Sequence, residues 1–170
     1  MRLAILGSGP GGYVAAIKAA QLGAQVTVIE ENAIGGTCLN WGCIPTKALA
    51  ASSDVLQRTR RFKEFGIEIT GEISPNFSQI QARIEKIVSL QARGIGNLLA
   101  AHKITFKKGR GQLVSPREVS CTPRNAPPEI VQADRIIIAT GSRPYELPGI
   151  PFDGNHILST NEVFSLSAIP

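Results

Sequence analysis

Short apolar runs separated by glycines open the chain. Arg2 to Leu6 (RLAIL) has the length and composition of a buried strand, and GSGPGG after it reads as a turn. Tyr13 to Leu22 carries small and apolar residues suited to a helix lying close on a sheet, with Gly23 placed as its C-terminal cap. Gln25 to Glu30 (QVTVIE) is a second strand, apolar enough for the interior of a parallel sheet. A helical stretch is expected from about Pro45 to Phe65, closed by Gly66. Ser78 is the expected N-cap of a long helix to about Ala101, with Ile80, Ile84, Ile87, Val88 and Leu98 as its apolar stripe. Ile104–Phe106 and Gly111–Val114 read as strands, with Val119–Thr122 pairing in a hairpin. Pro123–Pro128 is a surface loop, and Arg135 to Thr140 (RIIIAT) returns to a buried strand ending at Gly141. From Ser142 to Pro170 the sequence shows little regular pattern.

Strand, helix, strand in that order is the signature of an α/β fold with a parallel sheet. At 170 residues the chain can bury one core, and its 43% hydrophobic and 18% charged content fits a folded domain. Aromatics at 5% leave that core to Ile, Leu, Val and Ala. Gly7 interrupts the first apolar run too early for a secretory signal, and no stretch approaches the roughly 18 apolar residues of a membrane helix. A cytoplasmic location with no membrane contact is expected. The net charge is +5, but Arg58, Arg60, Arg61, Lys63 and Lys107, Lys108, Arg110 carry no interleaved aromatics on which bases could stack. No nucleic-acid partner is expected.

Gly7, Gly9 and Gly12 form a G-x-G-x-x-G set between a strand and a helix. Gly7 permits the tight turn, Gly9 lets backbone approach a pyrophosphate, and Gly12 allows close helix packing; Pro10 lies between them. The second strand ends in Glu30, with Glu31 beside it, where a carboxylate can accept hydrogen bonds from ribose hydroxyls. This pattern by itself fits FAD and NAD equally.

Two of the three cysteines, Cys38 and Cys43, lie in GGTCLNWGCIPTK (Gly35 to Lys47), close enough to close a small disulfide loop. Cys43 precedes Pro45 at an expected helix start, where the helix dipole favours a thiolate. A zinc site lacks its remaining ligands, since His102 and His156 are distant and without metal spacing, so no metal is expected. Cys121 stands alone in a polar, proline-containing stretch.

This segment closely resembles the redox-active motif of the pyridine nucleotide-disulfide oxidoreductases, a flavoprotein family. Within it, C-L-N-x-G-C-I-P-[ST]-K is most similar to the dihydrolipoamide dehydrogenase branch. Leu39, Ile44 and Thr46 differ from the C-V-N-x-G-C-V-P-K-K of glutathione reductases, and Trp41 replaces a frequent valine. The likeness extends through Gly109–Gly111, through ATGSRP (Ala139 to Pro144) and into ILSTNEVFSL.

The resemblance implies a Rossmann-like FAD-binding domain with a central parallel sheet, flanking helices and a β-hairpin or meander. Residues 1–150 would be its first segment, carrying the redox disulfide, and 151–170 the way out towards an NAD domain. It implies FAD as cofactor and NAD as co-substrate through that further domain. Cys38 would be the interchange thiol, Cys43 the charge-transfer thiol, and Lys47 a catalytic neighbour of the flavin. Gly36 and Thr37 would contact the pyrophosphate or ribityl chain, Gly111 the adenine, and Ala139, Thr140, Gly141 and Ser142 a second turn near the flavin. The implied enzyme oxidises lipoyl-domain-borne dihydrolipoamide as a homodimer. This chain would be inactive until joined by the NAD and interface domains or a second chain, whether it is a truncated product or one half of a split enzyme. A non-catalytic flavin-binding module, or the equivalent part of another disulfide or mercuric reductase, are the alternatives.

Overall fold

The computed structural model describes residues 1–170. Strand β1 (Arg2–Leu6) runs through the glycine turn into helix α1 (Pro10–Gln21) and on to β2 (Gln25–Glu30). Both strands keep the bounds set by the apolar pattern. α1 begins three residues before Tyr13, because Pro10 at its first position gives up no helical N–H bond. Gly23, at φ +85°, ends it in the left-handed conformation that glycine adopts without strain. Then come α2 (Gly36–Asn40), α3 (Cys43–Thr59), α4 (Phe77–Ala101), β3 (Thr105–Lys108), β4 (Arg110–Ser115), β5 (Glu118–Thr122), β6 (Glu129–Gln132), β7 (Arg135–Ile138) and α5 (Thr160–Val163).

The chain divides into two compact units, Met1–Asn40 with Leu90–Arg143 and Trp41–Ser89 with Pro144–Pro170. In the first, a four-stranded parallel sheet has the order β3-β2-β1-β7, and an antiparallel meander the order β4-β5-β6. Side chains alternate across a strand, and β1 uses that alternation fully. Leu3 and Ile5 join Val26, Val28, Ala16 of α1 and Leu99 of α4 on one face. Ala4 and Leu6 join Ile29 and the meander residues Val119, Cys121 and Val131 on the other. Helices therefore cover one face of the sheet and the meander covers the other, in keeping with the expected α/β architecture. Burying both faces explains why β1 and β2 read as continuous apolar runs.

In the second unit, the Arg83 guanidinium of α4 donates to the Ala48 carbonyl of α3 at 3.1 Å. The Gln81 amide donates to the Leu166 carbonyl. Ile84, Pro45 and Ala48 are buried there.

Several expectations require correction. The cap of α4 is Asn76, not Ser78: the Asn76 Oδ1 accepts from the Gln79 amide at 3.1 Å, and the Ser78 hydroxyl donates to that same oxygen. Along α4 the deeply buried residue near the C-terminus is Leu99, whereas Leu98 is 48% exposed. The helix expected to reach Phe65 stops at Thr59, and a separate 3-10 turn covers Phe62–Phe65 before Gly66 at φ +71°. RIIIAT is not a buried interior strand. β7 has one neighbour, β1, and Ile138 is 63% exposed, because position in the sheet rather than composition decides burial. His102 lies one residue past the end of α4, its ring against the Leu98 carbonyl.

Candidate dinucleotide site and cysteine pair

The site begins where β1 ends. Gly7 has φ +99°, a conformation costly for any residue with a Cβ, and a Cβ there would lie 2.2 Å from the Ala139 carbonyl oxygen. Its amide donates to the Ile29 carbonyl at 2.8 Å, pinning the turn to the end of β2. Gly9 is the N-cap of α1 and Pro10 its exposed first residue. Gly36 approaches Gly9 so closely that a Cβ on Gly36 would stand 2.7 Å from the Gly9 Cα. The Gly35 amide donates to the Ser8 carbonyl at 3.0 Å, so the start of α2 is held against the glycine turn.

Glu30 ends β2 and is only 8% exposed. Its Oε2 accepts the Ser8 amide and the Ser8 hydroxyl, each at 2.8 Å, and its Oε1 accepts the Asn32 amide at 2.7 Å. A buried carboxylate is tolerated where several donors meet it, and these three do so. Sequence reasoning found Glu30 but not Ser8 or Asn32. The only available signal was a serine inside the glycine set.

Gly7, Gly9, Gly12, Glu30, Gly36 and Ala139 thus come together at the carboxyl ends of β1, β2 and β7, where open α/β sheets bind ligands. Glu31 is exposed one residue further on, and Thr140, Gly141 and Ser142 are exposed beyond β7. Gly111 of β4 packs beneath the site. A Cβ there would fall 2.1 Å from Leu6 Cδ2 and 3.2 Å from Ile29 Cγ2, the residues immediately before Gly7 and Glu30. Thr37 is exposed and Cys38 half-buried on α2.

In the second unit, Cys43 is the exposed first residue of α3, after the N-cap Gly42. The helix start expected from Pro45 is borne out, with Pro45 buried in its first turn. Lys47 is exposed four residues on, on the same helix face as Cys43.

The glycine-rich turn and the acidic end of β2 suit a dinucleotide. A Cβ on Gly9 would meet only the Gly36 Cα, at 3.9 Å, so its backbone is open to a pyrophosphate. Fold and turn together define a Rossmann-type dinucleotide-binding protein. The family model for pyridine nucleotide-disulphide oxidoreductase matches residues 1–169, and the chain belongs to that family. It is 44% identical over 171 aligned positions to dihydrolipoyl dehydrogenase of Bacillus subtilis, covering 100% of this chain and 37% of that protein. To the mitochondrial dihydrolipoyl dehydrogenase of Pisum sativum it is 44% identical over 168, covering 98% of this chain and 33% of the relative. The crystal structure of LpdA from Mycobacterium tuberculosis superposes with a TM-score of 0.90 at 32% identity, taking in all of this chain and 38% of that one. The chain therefore spans little more than a third of the length of the relatives it matches. No helix is long and apolar enough to cross a membrane.

Proposed function

We propose that this chain is the FAD-binding, disulfide-bearing part of a dihydrolipoamide dehydrogenase that works in the cytoplasm as a homodimer. Residues 1–150 are the first segment of the FAD domain, and 151–170 lead towards an NAD domain. The observation that carries this reading is GGTCLNWGCIPTK running into the start of α3, in a chain whose family match spans residues 1–169.

Glu30 takes the adenosine ribose, and the open backbone at Gly9, with Gly36 packed beside it, takes the pyrophosphate. Pro10, Gly12 and Thr37 line that turn, Gly111 meets the adenine, and Ala139 to Ser142 form the turn nearer the flavin ring. FAD, when bound, supplies a two-electron acceptor between the protein dithiol and NAD⁺. Cys38 exchanges with dihydrolipoamide. The substrate's two thiols become the lipoamide disulfide while the Cys38–Cys43 disulfide becomes two thiols, so two electrons and two protons pass to the protein. Cys43 is the thiol that faces the flavin, and Lys47 offers positive charge beside it.

The purified chain mixed with FAD is expected to retain flavin absorbance after gel filtration. Treatment with dihydrolipoamide should then expose two additional thiols. Combined with the further domains that its relatives carry, it should reduce NAD⁺ in a dihydrolipoamide-dependent reaction. Activity surviving Cys38→Ser would defeat the mechanism.

A further inference from the structure

We infer that Ser8 restricts Glu30 to recognising a single ribose hydroxyl of the bound dinucleotide. The inference rests on the proposed FAD site and deepens it. An ionised carboxylate offers about four lone-pair positions, two on each oxygen. In Glu30 three of these are taken by the chain itself: Oε2 accepts from both the amide and the hydroxyl of Ser8, and Oε1 accepts from the Asn32 amide. One position on Oε1 remains. A carboxylate at the end of this strand could otherwise accept both the 2′- and the 3′-hydroxyl, one on each oxygen.

The arrangement has little room to adjust. Ser8 has no exposed surface and Glu30 is 8% exposed, so neither can swing into solvent to trade partners. The two amide contacts come from backbone on both sides of the carboxylate, from the glycine turn at Ser8 and from the loop at Asn32. Only the Ser8 hydroxyl is a side-chain donor and can be removed without disturbing the turn. Ser8 is thus a specificity-determining residue acting through Glu30. The fourth lone pair accepts one hydroxyl, and the other is left to solvent.

The test measures binding of FAD and of its 2′-deoxyadenosine and 3′-deoxyadenosine forms to the purified chain, followed by quenching of flavin fluorescence. One deoxy form is expected to bind roughly tenfold more weakly than FAD, as a lost hydrogen bond to a charged acceptor should do. The other should match FAD within about twofold, on the same reasoning about a hydroxyl without a partner. In Ser8→Ala, and independently in Ser8→Gly, the freed position on Oε2 should make both deoxy forms weaker than FAD. Equal losses for the two forms in the unsubstituted chain overturn the inference, as does a preference unchanged by either variant. The comparison in the unsubstituted chain holds even if a variant fails to fold. A chain that binds no FAD at all defeats the proposed function instead, so the two failures are told apart.

Discussion

Gly12 and Gly7 are in such close approach that a Cβ on Gly12 would lie 1.9 Å from the Gly7 carbonyl oxygen. The obstacle is backbone, which cannot rotate away as a flexible side chain can. The contact sets how near the first turn of α1 comes to the end of β1, and so fixes the helix N-terminus over the turn. Gly12→Ala must push the two apart. A loss of about 1–3 kcal/mol in urea unfolding is expected, the usual cost of overpacking a tight contact. The neighbouring Gly11→Ala is the control: its Cβ would meet only the Ala139 Cβ, at 4.0 Å. It should leave stability unchanged or raise it by a few tenths of a kcal/mol, since alanine is the better helix former. Equal losses in both variants would mean that the close approach is not what matters.

Much of this architecture was legible because it depends on local rules. β1 and β2 have their observed bounds in the hydrophobic pattern, since the apolar run of a strand buried on both faces stops plainly, at Gly7 after β1 and at the acidic pair Glu30-Glu31 at the end of β2. Gly7 and Gly12 were legible because a backbone approach demands each of them. Other features depend on tertiary placement. RIIIAT has the composition of an interior strand, yet nothing local reveals that β7 pairs on one side only. β6, Glu129–Gln132, is too short and too polar at its ends to stand out. The α5 helix could have been found, because Ser159-Thr-Asn-Glu162 is a readable capping box. The partnership of Ser8 with Glu30 spans 22 residues and exists only once β1 and β2 are paired.

Cys121 behaves differently from the cysteines of the motif. It is fully buried against Val119 and Val131, although the stretch of sequence around it is polar and contains proline. Burial pushes its thiol above the ordinary value of 9.0, with Glu129 adding to the rise and Lys107 opposing it. A thiol held protonated and shielded should resist iodoacetamide at pH 8 and react only after denaturation, whereas the exposed Cys43, once reduced, should react in the native protein. Because the folded value is the higher one, this group's contribution to stability is complete below the unfolded pKa and lost as pH rises through the folded one. Mass-mapped labelling that finds Cys121 modified in the native chain would refute its burial.

Lys107 and Glu129 form an ion pair at 2.7 Å between β3 of the parallel sheet and β6 of the meander. Their side chains are 29% and 47% exposed, so water and salt screen the pair. A double-mutant cycle with Lys107→Met and Glu129→Gln should return a coupling of about 0.2–1 kcal/mol in low salt, shrinking in 1 M salt. A larger, salt-insensitive coupling would show that the pair is more shielded than its exposure indicates.

The capping box of α5 gives the chain an acid-sensitive segment. The Glu162 carboxylate accepts from the Ser159 hydroxyl, and from the Ser159 amide at 2.6 Å; the hydroxyl in turn accepts the Asn161 amide at 3.2 Å. The Ser159 hydroxyl is the main reason the Glu162 carboxyl sits below its ordinary 4.5, with desolvation working the other way and the Ser159 amide adding to the lowering. A carboxyl with a depressed folded pKa contributes stability above its unfolded value and loses it as pH falls through the folded one. Amide exchange in Thr160–Val163 should therefore be slow and nearly level above pH 4.5, after correction for intrinsic exchange, and accelerate below it. Glu162→Gln should flatten that dependence by taking away the titrating group. Ser159→Ala removes the N-cap and the hydroxyl that lowers the Glu162 carboxyl, and should destabilise the local turn by about 1 kcal/mol above pH 4.5 and by less as Glu162 protonates. If the acid acceleration persists in Glu162→Gln, another carboxyl of the same unit controls it, and Asp153, which accepts the Asn155, His156 and Ile157 amides, is the next to replace.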